Sequence, residues 1–411
     1  MAFGDNPCDP LLQDAWRAFC SQLQQAGEQV FKESNPSNAL QRADGFRFLT
    51  QNLGQAFDLA LETKNSRYPA LHPFCSPSRK LGGDAADFTY HQAWIDGQSV
   101  YRVSGNIGSA RFINFTIQGA RPETVPGTEI PSLHDPFGDI PEANLFGHQL
   151  AHDSDGNFEL FIGGPERGLN WLPTTSNSRK LFLRQGFDGW QEQPARLHIE
   201  RIDMREPRPL PTPTEMVHAM QWAGTFVSQL MQQWPDHPYQ YSPFVDPAQV
   251  NQFPPDPNAN TTADDQKRGR AIAHLCWQLA RDEALIIEFD AHDGFWMLTN
   301  AGAFMNSMDF LYRPVSYTPA RTRVDRDGKI RIVVCEQEPG FFNWLDTCGF
   351  EQGNITYRNL LSLHNTQFTT QVVKREALEA VLANTSSRVT REERIAELYH
   401  RSRSVAQRYF F

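Results

Sequence analysis

Asp155-Gly156-Asn157-Phe158-Glu159-Leu160 runs on to Asn170-Trp171-Leu172-Pro173-Thr174 and then Arg184. Asp327-Gly328-Lys329-Ile330-Arg331-Ile332 runs on to Asn343-Trp344-Leu345-Asp346-Thr347 and then Arg358. The two strings keep their internal spacing to within one residue, at an offset of roughly 172 to 174, the mark of a duplicated module. Each begins with a D-G turn and an alternating strand, so the repeated unit is a β-domain.

Working outward, residues 10–33 space their apolar side chains by three and four, as an amphipathic helix does. A second helix follows, with Ser37 as N-cap and Leu40, Phe46, Leu49, Leu53, Phe57 and Leu61 on its apolar face. From Phe88 the period becomes alternating and rich in β-branched and aromatic residues, and Asp96-Gly97 supplies a hairpin turn. Strands continue through 145–152, 158–162, 181–184 and 195–201. The run Pro207-Arg208-Pro209-Leu210-Pro211-Thr212-Pro213 breaks every pattern and reads as an extended linker. Helix signals return at 214–234 and 265–283. Strands are expected at 285–289, 295–298, 309–312, 330–334, 355–360 and 369–374, and a charged helix closes the chain at 390–411. The expected fold is α+β: two tandem β-sandwich, jelly-roll-like domains related by a pseudo-twofold, each preceded by a helical hairpin. The boundaries are 1–206, a linker at 207–213, 214–385, and a C-terminal helix at 386–411.

The string Asn170-Trp171-Leu172-Pro173, with its D-G turn and Arg184, resembles the β-domain known as the domain of unknown function twelve-fourteen. The second copy carries Asp346 where the first has Pro173. The resemblance implies a β-sandwich of jelly-roll type and brings no settled activity. Both copies keep Asn, Trp and Arg, so a structural role is expected: Trp in the sandwich core, Asn satisfying backbone groups in a tight loop, Arg paired with a buried carboxylate.

Function is then sought in what only one copy has. With Asp96, Asn106 and Gly108 aligned to Asp290, Asn300 and Gly302, the first half gains two loops, 65–86 and about 120–143. The first carries His72, Cys75, Arg79, Lys80 and Asp84 and leads into Asp87, Tyr90 and His91; the second carries Glu123, Glu129, His134, Asp135 and Asp139. Their convergence on one cavity is the expectation on which the site assignments rest. The reading is an enzyme acting on a hydrophobic or aromatic small molecule in a pocket of the first repeat, by hydrolase or lyase/isomerase acid–base chemistry without a cofactor. His134 or His91 serves as base, Asp135 or Asp87 orients it, and Arg184 or Arg111 holds an oxyanion. The alternatives are a protein that binds a lipid-like molecule or acts as a scaffold, and a metalloenzyme using His72, His91 and His134. His148 and His152, read as strand residues, stand too far apart to share a metal.

Composition narrows the classes further. A net charge of −10 and a pI near 5.7 argue against nucleic acid as partner, since phosphate binding needs a cationic surface. No window approaches a membrane span, and the start shows no signal-peptide pattern. Six scattered cysteines without a C-x-x-C pair fit a reduced, cytoplasmic protein. No G-x-S-x-G elbow, P-loop, H-E-x-x-H or Rossmann glycine pattern stands in a suitable context. The C-terminal helix is amphipathic enough to dock on the core or to pair two subunits.

Overall fold

A computed structural model describes residues 7–120, 139–233, 249–258, 261–362 and 364–409. Helix α1 (Asp9–Glu28) is followed by α2 (Ala39–Phe57), which runs into a π-helical turn at Asp58–Glu62. The α2 cap is Asn38 rather than Ser37: its Oδ1 accepts the Gln41 amide at 2.9 Å. The described strands that follow are β1 (His72–Cys75), β2 (Phe88–Trp94), β3 (Tyr101–Asn106), β4 (Phe112–Gly119), β5 (Ile140–Phe146), β6 (Asn157–Ile162), β7 (Trp171–Leu172), β8 (Ser178–Gly186) and β9 (Arg196–Arg201). They form two sheets, ordered β1-β2-β8-β4-β5 and β7-β6-β3-β9. Their facing sides enclose Ala93, Val103, Phe115, Leu160, Leu181 and Leu183.

After the Pro-rich run, α3 (Pro213–Gln233) packs back against α1 and α2, and the short α4 (Ala263–Lys267) precedes the second set of strands. These are β10 (Arg270–Gln278), β11 (Glu283–Asp290), β12 (Phe295–Ala301), β13 (Ser316–Tyr317), β14 (Lys329–Cys335), β15 (Trp344–Asp346), β16 (Gln352–Leu360) and β17 (Thr369–Lys374). Their sheets run β10-β16-β12-β13 and β15-β14-β11-β17. Strand for strand this is the order of β2 to β9 with eight added to each label, so the duplication is a duplication of topology. Among the described strands only the pairs β6–β7 and β14–β15 are parallel, one in each copy at the same place. Helices α5 (Leu378–Leu382) and α6 (Arg391–Tyr409) close the described chain. The fold is α+β with two tandem β-sandwiches.

Several expectations change. Residues 265–283 are not a helix: only 263–267 are helical, and 270–278 are β10, whose Ala273, Leu275 and Trp277 alternate into the second core. Among the described residues the second copy contributes one long helix, α3, to a layer shared with α1 and α2. Residues 309–312 form a turn rather than a strand. His148 lies in a short 3-10 turn and His152 in an exposed loop, so neither is a strand residue.

The alignment of Asp96 with Asp290 also fails. Asn106 pairs with Asn157 and Asp290 with Lys329, each partner being the residue just after the turn glycine, so Asn106 and Asp290 are the equivalent positions. With the copies set in this register, residues 65–86 are not an insertion. The second half has a longer stretch between α3 and β10 than the first has between α2 and β2.

The repeated motif repeats its bonds as well. Asn170 Nδ2 donates to the carbonyls of Ala151 (2.6 Å) and Glu159 (3.0 Å), and its Oδ1 accepts the Ala151 amide. Asn343 does the same with Arg323 (2.8 Å) and Arg331 (3.0 Å). Each asparagine pins the loop before the D-G turn to the strand after it. The indoles of Trp171 and Trp344 donate to the carbonyls of Gly163 and Cys335. Trp344 lies outside the sandwich core, among Phe341, Leu378 and Leu382. Among the described residues neither arginine bonds a carboxylate. Arg184 donates to Asn114 Oδ1 (2.9 Å) and the Arg268 carbonyl (2.8 Å), and Arg358 to the Gly83 carbonyl, both reaching across to the other half of the chain.

A third apolar cluster lies outside both sandwiches. Phe19, Phe48, Phe226 and Leu230 of the helices meet Phe88, Tyr90 and Phe112 of the first copy and Phe295, Met297 and Leu360 of the second. The helical layer thus covers the outer face of one sheet from each sandwich. Helix α2 approaches the second copy closely at Gly45, where a Cβ would lie 2.8 Å from the Phe304 ring.

Asn343→Ala removes three bonds from a buried side chain, and its unfolding free energy should fall by about 1–3 kcal/mol. Asn170→Ala should act in the same direction. Denaturant melts of both variants check this, and an unchanged midpoint for Asn343→Ala would show the clip to be dispensable.

Candidate active site

The segment after β1 leaves the first sandwich and lies against the second. Asn52, buried on α2, donates to the Lys80 carbonyl (2.9 Å) and so fixes where this segment meets the helix. The Gly83 amide donates to the Met305 carbonyl (2.8 Å), and Met305 holds a left-handed φ of 55° that an unbranched side chain adopts only under constraint. Between these anchors stand Lys80 and Asp84, both almost fully buried. Lys80 Nζ donates to Ser307 Oγ at 2.8 Å; Ser307 Oγ donates to Asp84 Oδ2 at 2.5 Å, and the Ser307 amide donates to Asp84 Oδ1 at 2.9 Å. Lys80 and Asp84 themselves stand 3.9 Å apart, so the serine is the bridge. The ammonium also sits 3.6 Å from the centroid of Phe310.

This cluster forms one wall of a cleft of about 290 Å³. Leu40, Ala43, Asp44, Arg47 and Gln51 of α2 form the opposite wall, and Met308, Cys348 and Phe350 add apolar surface. Asp44 Oδ2 accepts Asn306 Nδ2 at 2.9 Å. Burial pulls the Lys80 ammonium down to about 8 despite the opposing pull of Asp84 and Asp309, while burial pushes the Asp44 carboxyl up against its bond to Asn306 and the nearby Arg47 and Lys80. A cation made more acidic and a carboxyl made less acidic share one cleft, an arrangement suited to moving protons near neutral pH.

The residues expected to form the site do not gather. His134 and Asp135 lie outside the described residues, as does most of the 120–143 loop, so its convergence with 65–86 lies there too. His91 pairs with Leu183 across β2–β8 and Arg184 with Tyr90, which places the two side chains on opposite faces of one sheet. Asp87, four residues from His91 along the strand direction, is engaged elsewhere. It pairs with Arg321 (2.6 Å) and Arg408 (3.5 Å), and against the cost of burial these guanidiniums hold it below the usual carboxylate range. Asp87 therefore does not orient His91. Arg184 is spent on Asn114 and Arg268, and Arg111 on Asp188 and the Asp293 carbonyl. No described group of three or more His, Cys, Asp or Glu side chains could hold a metal ion. Lys80 and Asp84 stand out in the sequence as ionisable loop residues. Asp44, Asn306 and Ser307 carry no motif, and Ser307 lies 227 residues from Lys80, beyond any spacing argument.

The fold defines a tandem β-sandwich protein with a shared helical layer and a cleft between that layer and the second sandwich. Among solved structures, an uncharacterised protein from Burkholderia cenocepacia is 30% identical with a TM-score of 0.78, the match covering 89% of this chain and 98% of that one. The chain belongs to the family of that protein. The VPA0106 protein from Vibrio parahaemolyticus aligns over 86% of this chain and all of its own, at 12% identity and a TM-score of 0.43. No family model and no curated protein matches the chain, so the resemblance to the domain of unknown function twelve-fourteen rests on the motif residues themselves. No described helix is long and apolar enough to cross a membrane.

The histidines lead to a pH prediction. Burial pulls His91 down to about 4, with a smaller push from His72, whose own value burial also lowers, and His91 Nδ1 is buried without a hydrogen-bond partner. The unfolded chain takes up the proton near 6.5 and the folded chain only near 4, so this stability is present above pH 6.5 and is lost as pH falls toward 4. The loss approaches ~1.4 kcal/mol per pH unit for one such group. Urea melts between pH 7 and 4.5 should show that slope in the wild type and a flatter one in His91→Gln. Equal slopes would contradict the assignment.

Proposed function

We propose that this protein is an enzyme performing acid–base chemistry on a small molecule held in the cleft between α2 and the 302–309 loop, with Lys80 and Asp44 as the working pair. The observation that carries the reading is Lys80: an ammonium buried on a cleft wall, pulled to about 8, and bonded to a serine instead of directly to a carboxylate. A lysine needed only for stability gains most from a close ion pair, as Lys180 has with Asp139 at 2.7 Å.

Leu40, Ala43, Met308 and Phe350 give the cleft an apolar side, and Arg47, Asp44 and Lys80 a charged one, which fits a substrate with an apolar body and a polar reacting end. The reaction is of hydrolase or lyase type: Lys80 in its neutral form takes a proton, and Asp44 in its protonated form gives one. Helix α2 and Lys80 come from the first repeat and Ser307 and Asn306 from the second, so the cleft belongs to the junction of the two copies rather than to the first alone. Ligand binding without turnover is the competing reading, and it parts from this one on pH.

A panel of small esters, amides and carbonyl compounds, screened by native mass spectrometry and thermal shift, should yield a binder whose affinity falls at least ten-fold in Lys80→Met and in Asp44→Asn. Its turnover should rise with pH through an inflection near 8 that Lys80→Met abolishes. Because Lys80→Met leaves the buried Asp84 without the cation beside it, the partly exposed Asp44→Asn serves as the control for folding. Binders indifferent to both substitutions in folded protein would overturn the site, and Lys80-dependent binding with no turnover would leave a binding protein.

A further inference from the structure

We propose that Lys80 captures an aldehyde or ketone as an imine on its Nζ, which names the substrate class of the cleft; the inference rests on the acid–base reading above. Three features of the geometry carry it. Lys80 is the lysine that lines the cleft, and its nearest carboxylate oxygen is 3.9 Å away, beyond hydrogen-bond reach, so the direct bond of its amine goes to Ser307 instead. The hydrogen bonds from Lys80 Nζ to Ser307 Oγ and from Ser307 Oγ to Asp84 Oδ2 form a relay that runs from amine to carboxylate. Passing one proton along that relay leaves a neutral amine with a free electron pair beside the cleft. Asp44 of α2 lines the same cleft with a carboxyl whose hold on its proton burial strengthens.

The step balances without a redox partner. The amine nitrogen attacks the carbonyl carbon and a C–N bond forms. The carbonyl π pair moves to oxygen, which takes the proton of Asp44, and the nitrogen passes its extra proton to the Asp44 carboxylate so formed. Asp44 then returns that proton to the carbinolamine hydroxyl, which leaves as water while the nitrogen lone pair forms the C=N bond, and the proton left on the imine nitrogen goes back to Asp44. The sum is amine plus carbonyl compound giving imine plus water.

The test uses the full chain, acetaldehyde and benzaldehyde as probes, and sodium cyanoborohydride at pH 7 to fix any imine as a stable secondary amine. The chain has seven lysines, so peptide mapping assigns every adduct. The expected result is one adduct per chain on Lys80 at a reagent ratio that leaves Lys32 and Lys374 unmodified. Lys80→Arg should give no such adduct, and Asp44→Asn should slow it about ten-fold. Ser307→Ala, which keeps the lysine and breaks the relay, should move the pH of half-maximal labelling upward. Adducts spread over exposed lysines with Lys80 untouched, in protein of unchanged melting temperature, would overturn the proposal. A Lys80-dependent binder that forms no reducible adduct overturns imine capture and leaves the acid–base reading standing; absence of any Lys80-dependent binder sinks both.

Discussion

The segment from Lys80 to Asp87 is the interaction on which the rest of the molecule depends. It starts in the first copy, and many of its polar groups are satisfied by the second: Lys80 and Asp84 by Ser307, Gly83 by Met305 and Arg358, the Ala86 amide by Thr299, Asp87 by Arg321 and Arg408. A buried strip with so many donors and acceptors has no stable home in either sandwich alone, because each unmet group costs about 1–3 kcal/mol. Docking the two copies satisfies it, and the helical layer then covers the apolar surface around it.

The same logic explains the basic C-terminal helix. Arg394, Arg401 and Arg408 recur every seven residues along α6 and face inward. Arg394 pairs with Glu338 and Glu397, Arg401 bonds Ser316, and Arg408 reaches Asp87. Arg321 and Arg401 also lie over the face of Trp190, at 4.4 and 5.1 Å from its centroid. The helix is a charged wedge closing the junction, and Tyr409 Oη donating to the Phe88 carbonyl at 2.9 Å ties its end to the first sandwich. Buried ion pairs of this kind contribute less to stability than to fixing one arrangement of the parts. The cleft draws on the same property: a junction that tolerates buried charge can hold a lysine and a carboxyl away from their solution behaviour.

Much of this architecture is legible in the sequence because turns and alternation are local. The D-G turns, the Asn-Trp-Leu strings and the arginines that follow them mark equivalent strands in both copies, and the asparagines do what their place in a tight loop demands. Strand β10 was missed because Ala271, Ala273, Leu275 and Leu279 favour a helix, while pairing with β16 over nine residues overrides that preference. The short Asp/Asn-Gly matches aligned the wrong turns, since such turns recur wherever a hairpin needs them. The site was half visible. Lys80 and Asp84 stood out as ionisable loop residues, but their meaning depends on a serine brought in from the second copy. His91, Asp87 and Arg184 looked equally suitable and proved to be a neutral strand histidine, an ion-paired carboxylate and an inter-copy strut, distinctions that only burial and partners draw.

The titration of Lys80 tests the account most directly. With ¹⁵N-labelled lysine side chains, the Lys80 resonance can be assigned by its disappearance in Lys80→Arg and followed against pH in the intact protein. The account predicts a midpoint near 8, set by burial at the junction and only partly offset by Asp84. A midpoint near the ~10.4 of an exposed lysine would mean that the ammonium is solvated or tightly ion-paired, and the cleft would lose the feature on which its proposed chemistry stands.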